Sequence, residues 1–220
     1  MPLPSAGKDT VPRKGTQIAL PLASGSGTGP RRILIGDANA RAAEALGVPE
    51  SWPYRTAVLA GPPRSGKSLF ARWFAASGRN THGGEVIDNA GQMEEAVLFH
   101  RWNRAQENGT PLLIVGDRDW AIMLPDLKSR LAAALHLEIG APDDDLAANL
   151  IRSLAEERNL ALGEGAEAYL VPRITRSWEA IERLVVEIDR LSLERMAAAR
   201  ISIWRDALEA VEGPVEPRLL

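Results

Sequence analysis

The chain has 220 residues, of which 45% are hydrophobic, so it is long and apolar enough to fold around a core. Its net charge of −3 lacks the basic surplus typical of nucleic-acid-binding chains, which disfavours direct DNA binding. The absence of cysteine excludes a disulfide scaffold, a thiolate metal site and a cysteine nucleophile, and it fits a reducing cytoplasm.

Residues 1–30 are rich in Pro, Gly, Ser and Thr, which predicts a flexible tail. Lys8, Arg13 and Lys14 have no apolar stretch after them, so no signal peptide is expected. No apolar run in the sequence is long enough to span a bilayer. A short apolar island at residues 17–22, with the sequence Gln-Ile-Ala-Leu-Pro-Leu, interrupts the tail.

Strands and helices alternate over residues 31–141, which we interpret as a nucleotide-binding core. The predicted strands are 56–60, 85–88, 111–116 and 135–139, and the predicted helices are 39–46, 67–76, 92–107 and 126–134. Because the strand interiors are apolar, we expect a parallel sheet with helices on both faces.

Residues 142–220 carry a helical pattern alone, which predicts a small helical lid after the α/β core. The first helix opens at three consecutive aspartates, Asp143 to Asp145, which favour the positive end of a helix dipole. Later helices are predicted at 164–172, 176–197 and 199–211. The role of the last helix is left open.

Residues 61–68, with the sequence Gly-Pro-Pro-Arg-Ser-Gly-Lys-Ser, match the phosphate-binding pattern G-x-x-x-x-G-K-[ST]. A predicted strand precedes the motif and a helix follows it, which argues against a chance glycine-rich turn. Lys67 is expected to reach the outer phosphates and Ser68 to hold Mg²⁺, while backbone N–H groups close around the phosphates. The predicted phosphate site comprises Pro63, Arg64, Ser65, Gly66, Lys67, Ser68 and Leu69.

Asp88 follows the second predicted strand, where a P-loop nucleotidase places a carboxylate that holds Mg²⁺ through water. The alternative is a strand-ending turn, since Asp-Asn is good turn chemistry. The next residue, Asn89, is an amide and cannot act as a base, so we expect weak or absent ATP turnover by this chain itself. The short distance from Lys67 to Asp88 predicts a sheet reduced by one strand.

The Gly-Pro-Pro opening of the loop resembles that of the AAA+ family, with Arg64 where glycine is usual. Residues 36–42 are similar to the G-x-x-N-x-x-A segment ahead of the P-loop in DnaA and its relatives. That resemblance implies a P-loop AAA+ core with a helical lid, and it implies that Leu34 and Ile35 contact the adenine.

Three further segments resemble the Hda group of DnaA-related regulators. Residues 87–89 look like its Walker B segment, and residues 115–118 look like its sensor-1 strand end, which implies that Asp117 faces the nucleotide. Residues 124–131, with the sequence Leu-Pro-Asp-Leu-Lys-Ser-Arg-Leu, resemble its arginine-finger segment. Arg130 is then offered to the nucleotide of a neighbouring subunit; the alternative is an i,i+4 ion pair with Asp126, worth roughly 0.2–0.5 kcal/mol.

The sensor-2 arginine of DnaA has no clear counterpart here. It aligns with Glu179, while Arg176 lies one turn earlier and is the candidate we favour over Arg173. A solvated lid surface explains these arginines equally well. Since the sequence ends at Leu220, we expect no counterpart of the DNA-binding domain that follows the lid in DnaA.

The island at residues 17–22 resembles the peptide by which bacterial polymerase partners and Hda bind the sliding clamp. The resemblance implies that Leu20 and Leu22 enter an apolar cleft, that Pro21 limits the unfolded ensemble, and that Gln17 bonds a polar rim beside Ile18. The alternative is a strand that packs on the core.

Taken together, these resemblances imply a clamp-bound regulator of the cytoplasm, associated with the replisome. It would hold an adenine nucleotide with Mg²⁺ and stimulate hydrolysis of DnaA-bound ATP, so its partners would be DnaA and the DNA polymerase III beta clamp. We expect no sequence-specific DNA binding and no membrane, and leave homo-oligomerisation open. The alternatives are a DnaC-like helicase-loader ATPase, disfavoured by the acidic balance and short tail, and a clamp-bound scaffold with a structural nucleotide site.

Overall fold

The computed structural model describes residues 33–76 and 84–213. Within these residues, a four-stranded parallel sheet has the strand order β2-β3-β1-β4. The strands are β1 (Thr56–Gly61), β2 (Glu85–Ile87), β3 (Leu112–Asp117) and β4 (Leu135–Glu138). The pairing of β1 with β3 ends at Gly61 opposite Asp117, so the phosphate loop starts beside the end of β3.

Eight α-helices complete the described fold. They are α1 (Ala40–Leu46), α2 (Lys67–Ala76), α3 (Glu95–Asn108), α4 (Pro125–Ala132), α5 (Asp144–Glu157), α6 (Ala166–Leu170), α7 (Trp178–Glu194) and α8 (Ile201–Glu212). None of the helices in the described ranges is long and apolar enough to cross a membrane. The predicted fold class, a parallel α/β core followed by a helical lid, is confirmed.

Apolar clusters cover the two faces of the sheet. One contains Phe70 and Phe74 of α2 together with Trp52, and the other contains Leu98 and Trp102 of α3. The strands lie between these clusters, and Leu59, Leu113 and Ile114 are among the residues with no exposed surface. Burial on both faces explains why the strand interiors are almost entirely apolar.

The start of α3 differs from the prediction of a helix over 92–107. Residues Ala90–Gln92 form a separate 3₁₀ turn, and Glu94 has extended backbone, so the helix begins at Glu95. Leu98 is fully buried, whereas Ala96 is exposed. The apolar spacing alone does not reveal the left-handed Asn89 that turns the chain after β2.

The lid helices α5 to α8 share a third apolar cluster, which includes Ile203 and Trp204 of α8. Side-chain caps fix two of its helices: Asp143 accepts a hydrogen bond from the Leu146 amide at 2.7 Å, and Ser177 accepts one from the Ala180 amide at 3.0 Å. The aspartates that predicted the first lid helix therefore include its N-cap. The division of the chain at residues 141 and 142 stays a prediction.

Trp178, at the start of α7, joins the lid to the core. Its ring is 6% exposed and belongs to the cluster that also holds Ile33 and Leu34. Its indole N–H donates to the Gly140 carbonyl at 2.7 Å. This contact places the first turn of α7 against the wall of the cleft between core and lid.

Candidate functional site

The phosphate loop connects β1 to α2 and contains two residues in the left-handed backbone region, Arg64 with φ 63° and Gly66 with φ 85°. Glycine adopts this region freely, whereas a residue with a side chain pays about 1–2 kcal/mol. Arg64, which replaces the usual AAA+ glycine, therefore keeps a glycine-like conformation at an energetic cost.

Lys67 points back into the loop. Its ammonium donates to the carbonyls of Gly61 at 2.7 Å and Pro62 at 3.0 Å, and it lies 3.2 Å from a carboxylate oxygen of Asp117. The Lys67 side chain is 13% exposed, while that of Asp117 is 80% exposed. Two carbonyl dipoles and one carboxylate thus hold the Lys67 ammonium at the end of β1. From there it can turn to an incoming phosphate.

Ser65 adds an orphaned polar atom to the loop. The residue is 2% exposed, and its hydroxyl oxygen has no hydrogen-bond partner within the described residues. A buried hydroxyl without a partner is costly, so such groups commonly await a ligand or a water. The geometry of Ser65 fits a loop that closes around phosphate.

A cavity of about 510 Å³ opens in front of the loop, and we call it the nucleotide cavity. This volume lies within the range of roughly 300–1,000 Å³ found for small-molecule sites. The core contributes Ile33, Leu34, Asn39, Arg64, Ser65, Gly66, Lys67, Ser68, Leu69, Phe70, Arg72, Asn89 and Asp117, and the lid contributes Leu150, Ser153, Leu154, Glu157, Arg158, Trp178 and Glu182.

The apolar end of the nucleotide cavity contains Ile33 and Leu34. Asn39 fixes this segment from beneath: it is 2% exposed, donates to the Leu34 carbonyl at 2.9 Å, and accepts from the Gly36 amide at 3.0 Å. Ile35 is not among the residues that line this cavity; it lines a second one beside Gly36. Leu34, predicted to contact the adenine, lines the cavity together with Ile33, which the sequence did not single out; the adenine contact stays a prediction.

The two predicted magnesium ligands, Ser68 and Asp88, do not line the same cavity. Ser68 lines the nucleotide cavity, whereas Asp88 is exposed and lines neither this cavity nor its neighbour. The Asp88 carboxylate accepts a hydrogen bond from the amide of Asn89, which lines both. Its assignment as a magnesium ligand stays a prediction, and the turn that we weighed against it is present.

A neighbouring cavity of about 710 Å³ lies on the other side of Lys67 and is lined by Pro63, Asp117 and Trp120 among others. Gly116 makes room for the Trp120 ring, since a Cβ on Gly116 would lie 2.8 Å from that ring. This packing explains why glycine occupies position 116 at the end of β3.

The lid closes over the loop through Glu182 of α7. Its carboxylate lies 3.2 Å from the guanidinium of Arg64, across 118 residues of sequence. Arg176, our candidate for sensor 2, lies elsewhere: it pairs with Asp144 at 2.6 Å, donates to the Val171 carbonyl, and lines the cavity beside Ile35. Arg176 is not among the residues that line the nucleotide cavity, and its nucleotide contact stays a prediction.

Arg130 occupies the outside of the core. The carbon at the centre of its guanidinium lies 4.6 Å from the Trp102 ring centre and 5.1 Å from that of Phe99, both on α3. In the described part of the chain Arg130 makes no ion pair, so the alternative pair with Asp126 is not formed. No residue of α4 lines the nucleotide cavity. We call Arg130, Phe99 and Trp102 the outer arginine site.

Glu95, at the start of α3, fixes the position of the N-terminal end of α4. Its carboxylate accepts hydrogen bonds from the amides of Met123 at 2.8 Å and Leu124 at 2.5 Å, just before α4 begins. Leu127 and Leu131 of α4 are buried in the cluster below. The backbone beneath Arg130 is therefore anchored from both ends.

The peptide at residues 17–22 lies outside the described residues, so the assignments of Gln17, Ile18, Leu20, Pro21 and Leu22 stay predictions.

No family model matches this sequence, and a search of curated proteins finds no match. Among solved structures, the chain is similar to domain III of the replication initiation protein DnaA of Thermotoga maritima, with a TM-score of 0.67 and 14% identity over 83% of this chain and 95% of that one. It is also similar to the FIGL-1 AAA domain in complex with ADP, with a TM-score of 0.61 and 13% identity over 83% and 84% of the two chains.

A third similar structure is a replication initiator DnaA bound to AMPPCP and single-stranded DNA, with a TM-score of 0.56 and 18% identity over 74% of this chain and 66% of that one. At these identities the likeness establishes the fold. The chain has a DnaA-like AAA+ fold, and the two nucleotide complexes hold adenine nucleotides, in agreement with the class of ligand predicted from the loop.

Proposed function

We propose that this chain binds an adenine nucleotide and, while attached to the sliding clamp, stimulates hydrolysis of DnaA-bound ATP by presenting Arg130. The observation that carries the proposal is the outer arginine site. A guanidinium lies outside the core of a DnaA-like AAA+ fold, over two aromatic rings and without a carboxylate partner in the described residues.

Two features of the nucleotide cavity support binding of an adenine nucleotide. An apolar wall at Ile33 and Leu34 suits a base, and the loop with Lys67 and Ser68 suits phosphates. Bound phosphates would supply further ligands to Mg²⁺ beside Ser68, which matters because no acidic or histidine cluster able to hold a metal alone occurs in residues 33–76 and 84–213.

Weak turnover by the chain itself follows from Asn89. This amide lines the nucleotide cavity near Lys67, at the position where a carboxylate would polarise the attacking water. A nucleotide bound here would therefore persist. ATP hydrolysis would occur on the partner.

The chemistry of Arg130 suits that division of labour. Contact with the aromatic rings uses none of the five N–H donors of the guanidinium as hydrogen bonds to oxygen, so these donors can bond phosphate oxygens. An arginine that reaches a transferring phosphoryl group from another subunit stabilises the developing charge and raises the rate by about 10³–10⁵ in known cases. The clamp peptide at residues 17–22 would raise the local concentration of Arg130 near DnaA at the replication site.

The test is hydrolysis of ATP prebound to DnaA, measured with DNA-loaded clamp and increasing amounts of this protein. We expect stimulation by the parent, loss of at least 100-fold in rate with Arg130→Ala, and full activity with Lys128→Ala, an exposed cation on the same helix. Gln17→Ala combined with Leu20→Ala is expected to remove clamp retention and the stimulation together.

Equal stimulation by the parent and by Arg130→Ala would refute the finger assignment. Binding to the replicative helicase without retention on clamp would favour the helicase-loader alternative. Full DnaA inactivation by a folded Lys67→Ala variant would favour the scaffold, in which nucleotide has only a structural role.

A further inference from the structure

Arg64 is held in a costly conformation that its described contacts do not offset. Its backbone occupies the left-handed region that glycine adopts freely, and its side chain is 65% exposed. Its ion pair with Glu182 is single-pronged at 3.2 Å, and pairs this exposed are worth less than the backbone strain. Strained residues of this kind cluster at ligand clamps, where the bound state makes up the difference.

The position of Arg64 indicates which ligand would make up that difference. It belongs to the loop that cradles phosphate, and its guanidinium lines the nucleotide cavity together with Lys67 and Ser68. A guanidinium offers paired donors that match two phosphate oxygens at once. The Glu182 carboxylate presents the same geometry and charge, so in the structure it occupies the place of an oxyanion.

The charges around the cavity indicate that the pairing of Glu182 with Arg64 opposes nucleotide binding. Four cations and three carboxylates line the cavity: Arg64, Lys67, Arg72 and Arg158, with Asp117, Glu157 and Glu182. Two of the cations, Arg64 and Lys67, are paired with carboxylates. A phosphate that binds Arg64 or Lys67 must compete with the carboxylate already paired with that cation.

We infer that the Arg64 side chain is a phosphate-binding group and that Glu182 of the lid competes with the nucleotide for it. Nucleotide binding then exchanges the Glu182 carboxylate for a phosphate on Arg64 and releases α7 from the loop. This exchange sets the affinity of the site and couples its occupancy to the lid. The inference rests on the proposed nucleotide site, and it is independent of DnaA and the clamp.

The experiment is calorimetric titration of the purified full chain with ADP in the presence of Mg²⁺, and with adenosine as a ligand without phosphate. Arg64→Gly is expected to weaken ADP binding about tenfold, as for loss of one charge-assisted contact, although it relieves the strain and raises the melting temperature. Glu182→Gln is expected to tighten ADP binding about three- to fivefold. Both variants should bind adenosine like the parent.

Glu179→Gln is the matched control, because Glu179 lies on the same helix, is exposed, and does not line the cavity. It should leave ADP affinity unchanged. ADP binding by Arg64→Gly as tight as that of the parent would overturn the role of Arg64, and unchanged or weaker binding by Glu182→Gln would overturn the competition. If the parent binds no ADP, the proposed nucleotide site itself fails.

Discussion

The cations of the nucleotide cavity and of the outer arginine site have different kinds of partner. In the cavity, Lys67 lies against Asp117 and Arg64 lies against Glu182, so each of these two cations has a carboxylate from the same chain. Arg130 instead rests on Phe99 and Trp102, rings that attract the cation without neutralising it. A paired cation must exchange partners to bind an anion, whereas a stacked one is available to an anion on another molecule.

The largest expected effect separates the two sites completely. Lys67→Ala should weaken ADP binding by about 100-fold, because the charge-assisted bonds to phosphate are lost, while Arg130→Ala should bind ADP with the parental affinity. Calorimetric titration of both variants measures the two affinities. A weakened affinity in Arg130→Ala would mean that the outer arginine site is not separate from the cavity.

Asn39 tests whether the wall of the cavity is built in advance. Asn39→Ala removes two hydrogen bonds to the backbone of residues 34 and 36 from a buried position, and we expect a loss of about 2 kcal/mol in the free energy of unfolding, measured by urea denaturation. ADP binding should weaken as well.

Asn103→Ala on α3 provides the comparison for Asn39, since Asn103 is half-buried and does not line the cavity. Equal losses of stability in the two variants would show that the bonds of Asn39 are not special to the 33–36 segment.

Glu95 is the equivalent support beneath the outer arginine site. Glu95→Ala leaves the amides of Met123 and Leu124 without their acceptor, so we expect about 1–2 kcal/mol less stability and a lower maximal rate of DnaA-ATP hydrolysis. ADP affinity should stay at the parental value.

Glu94→Ala is the control for Glu95, because the neighbouring carboxylate is exposed and caps no amide in the described structure. A fall in ADP affinity for Glu95→Ala alone would contradict the independence of the two sites.

The sequence was most informative where function depends on adjacent residues. The phosphate loop at residues 61–68 and the helix Lys67–Ala76 were predicted with the observed bounds, because glycine, lysine and apolar spacing act locally. The fold class followed from the same alternation of strands and helices.

The sequence could not reveal contacts between residues that lie far apart along the chain. Glu182 meets Arg64 from 118 residues away, and Trp178 joins the apolar wall from the lid. The sequence could not show whether Arg176 contacts the nucleotide or pairs within the lid. Its pairing with Asp144 depends on how α5 packs beside the start of α7. The rings beneath Arg130 are likewise visible only once α3 and α4 are in place.

The outer surface of α7 supplies the smallest expected effect and completes the comparison. Arg190 bonds Glu187 and Glu194 there, and the hydrogen bond from Arg190, with its positive charge, lowers the pKa of Glu187 against a smaller opposing effect of burial. A carboxyl group whose pKa is lower in the folded state stabilises the fold above its unfolded pKa of about 4.3, and that contribution is lost as pH falls through the lower, folded value.

Arg190→Ala should therefore raise the pKa of Glu187 toward its ordinary range, which a pH titration followed by NMR measures directly. The melting temperature at pH 7 should fall less than in Glu95→Ala, because Arg190 lies in solvent and water screens the pair. ADP affinity and DnaA-ATP hydrolysis should both stay unchanged. A change in either would mean that ion pairs on the lid surface influence the functional sites, and the contrast between paired and stacked cations would lose its specificity.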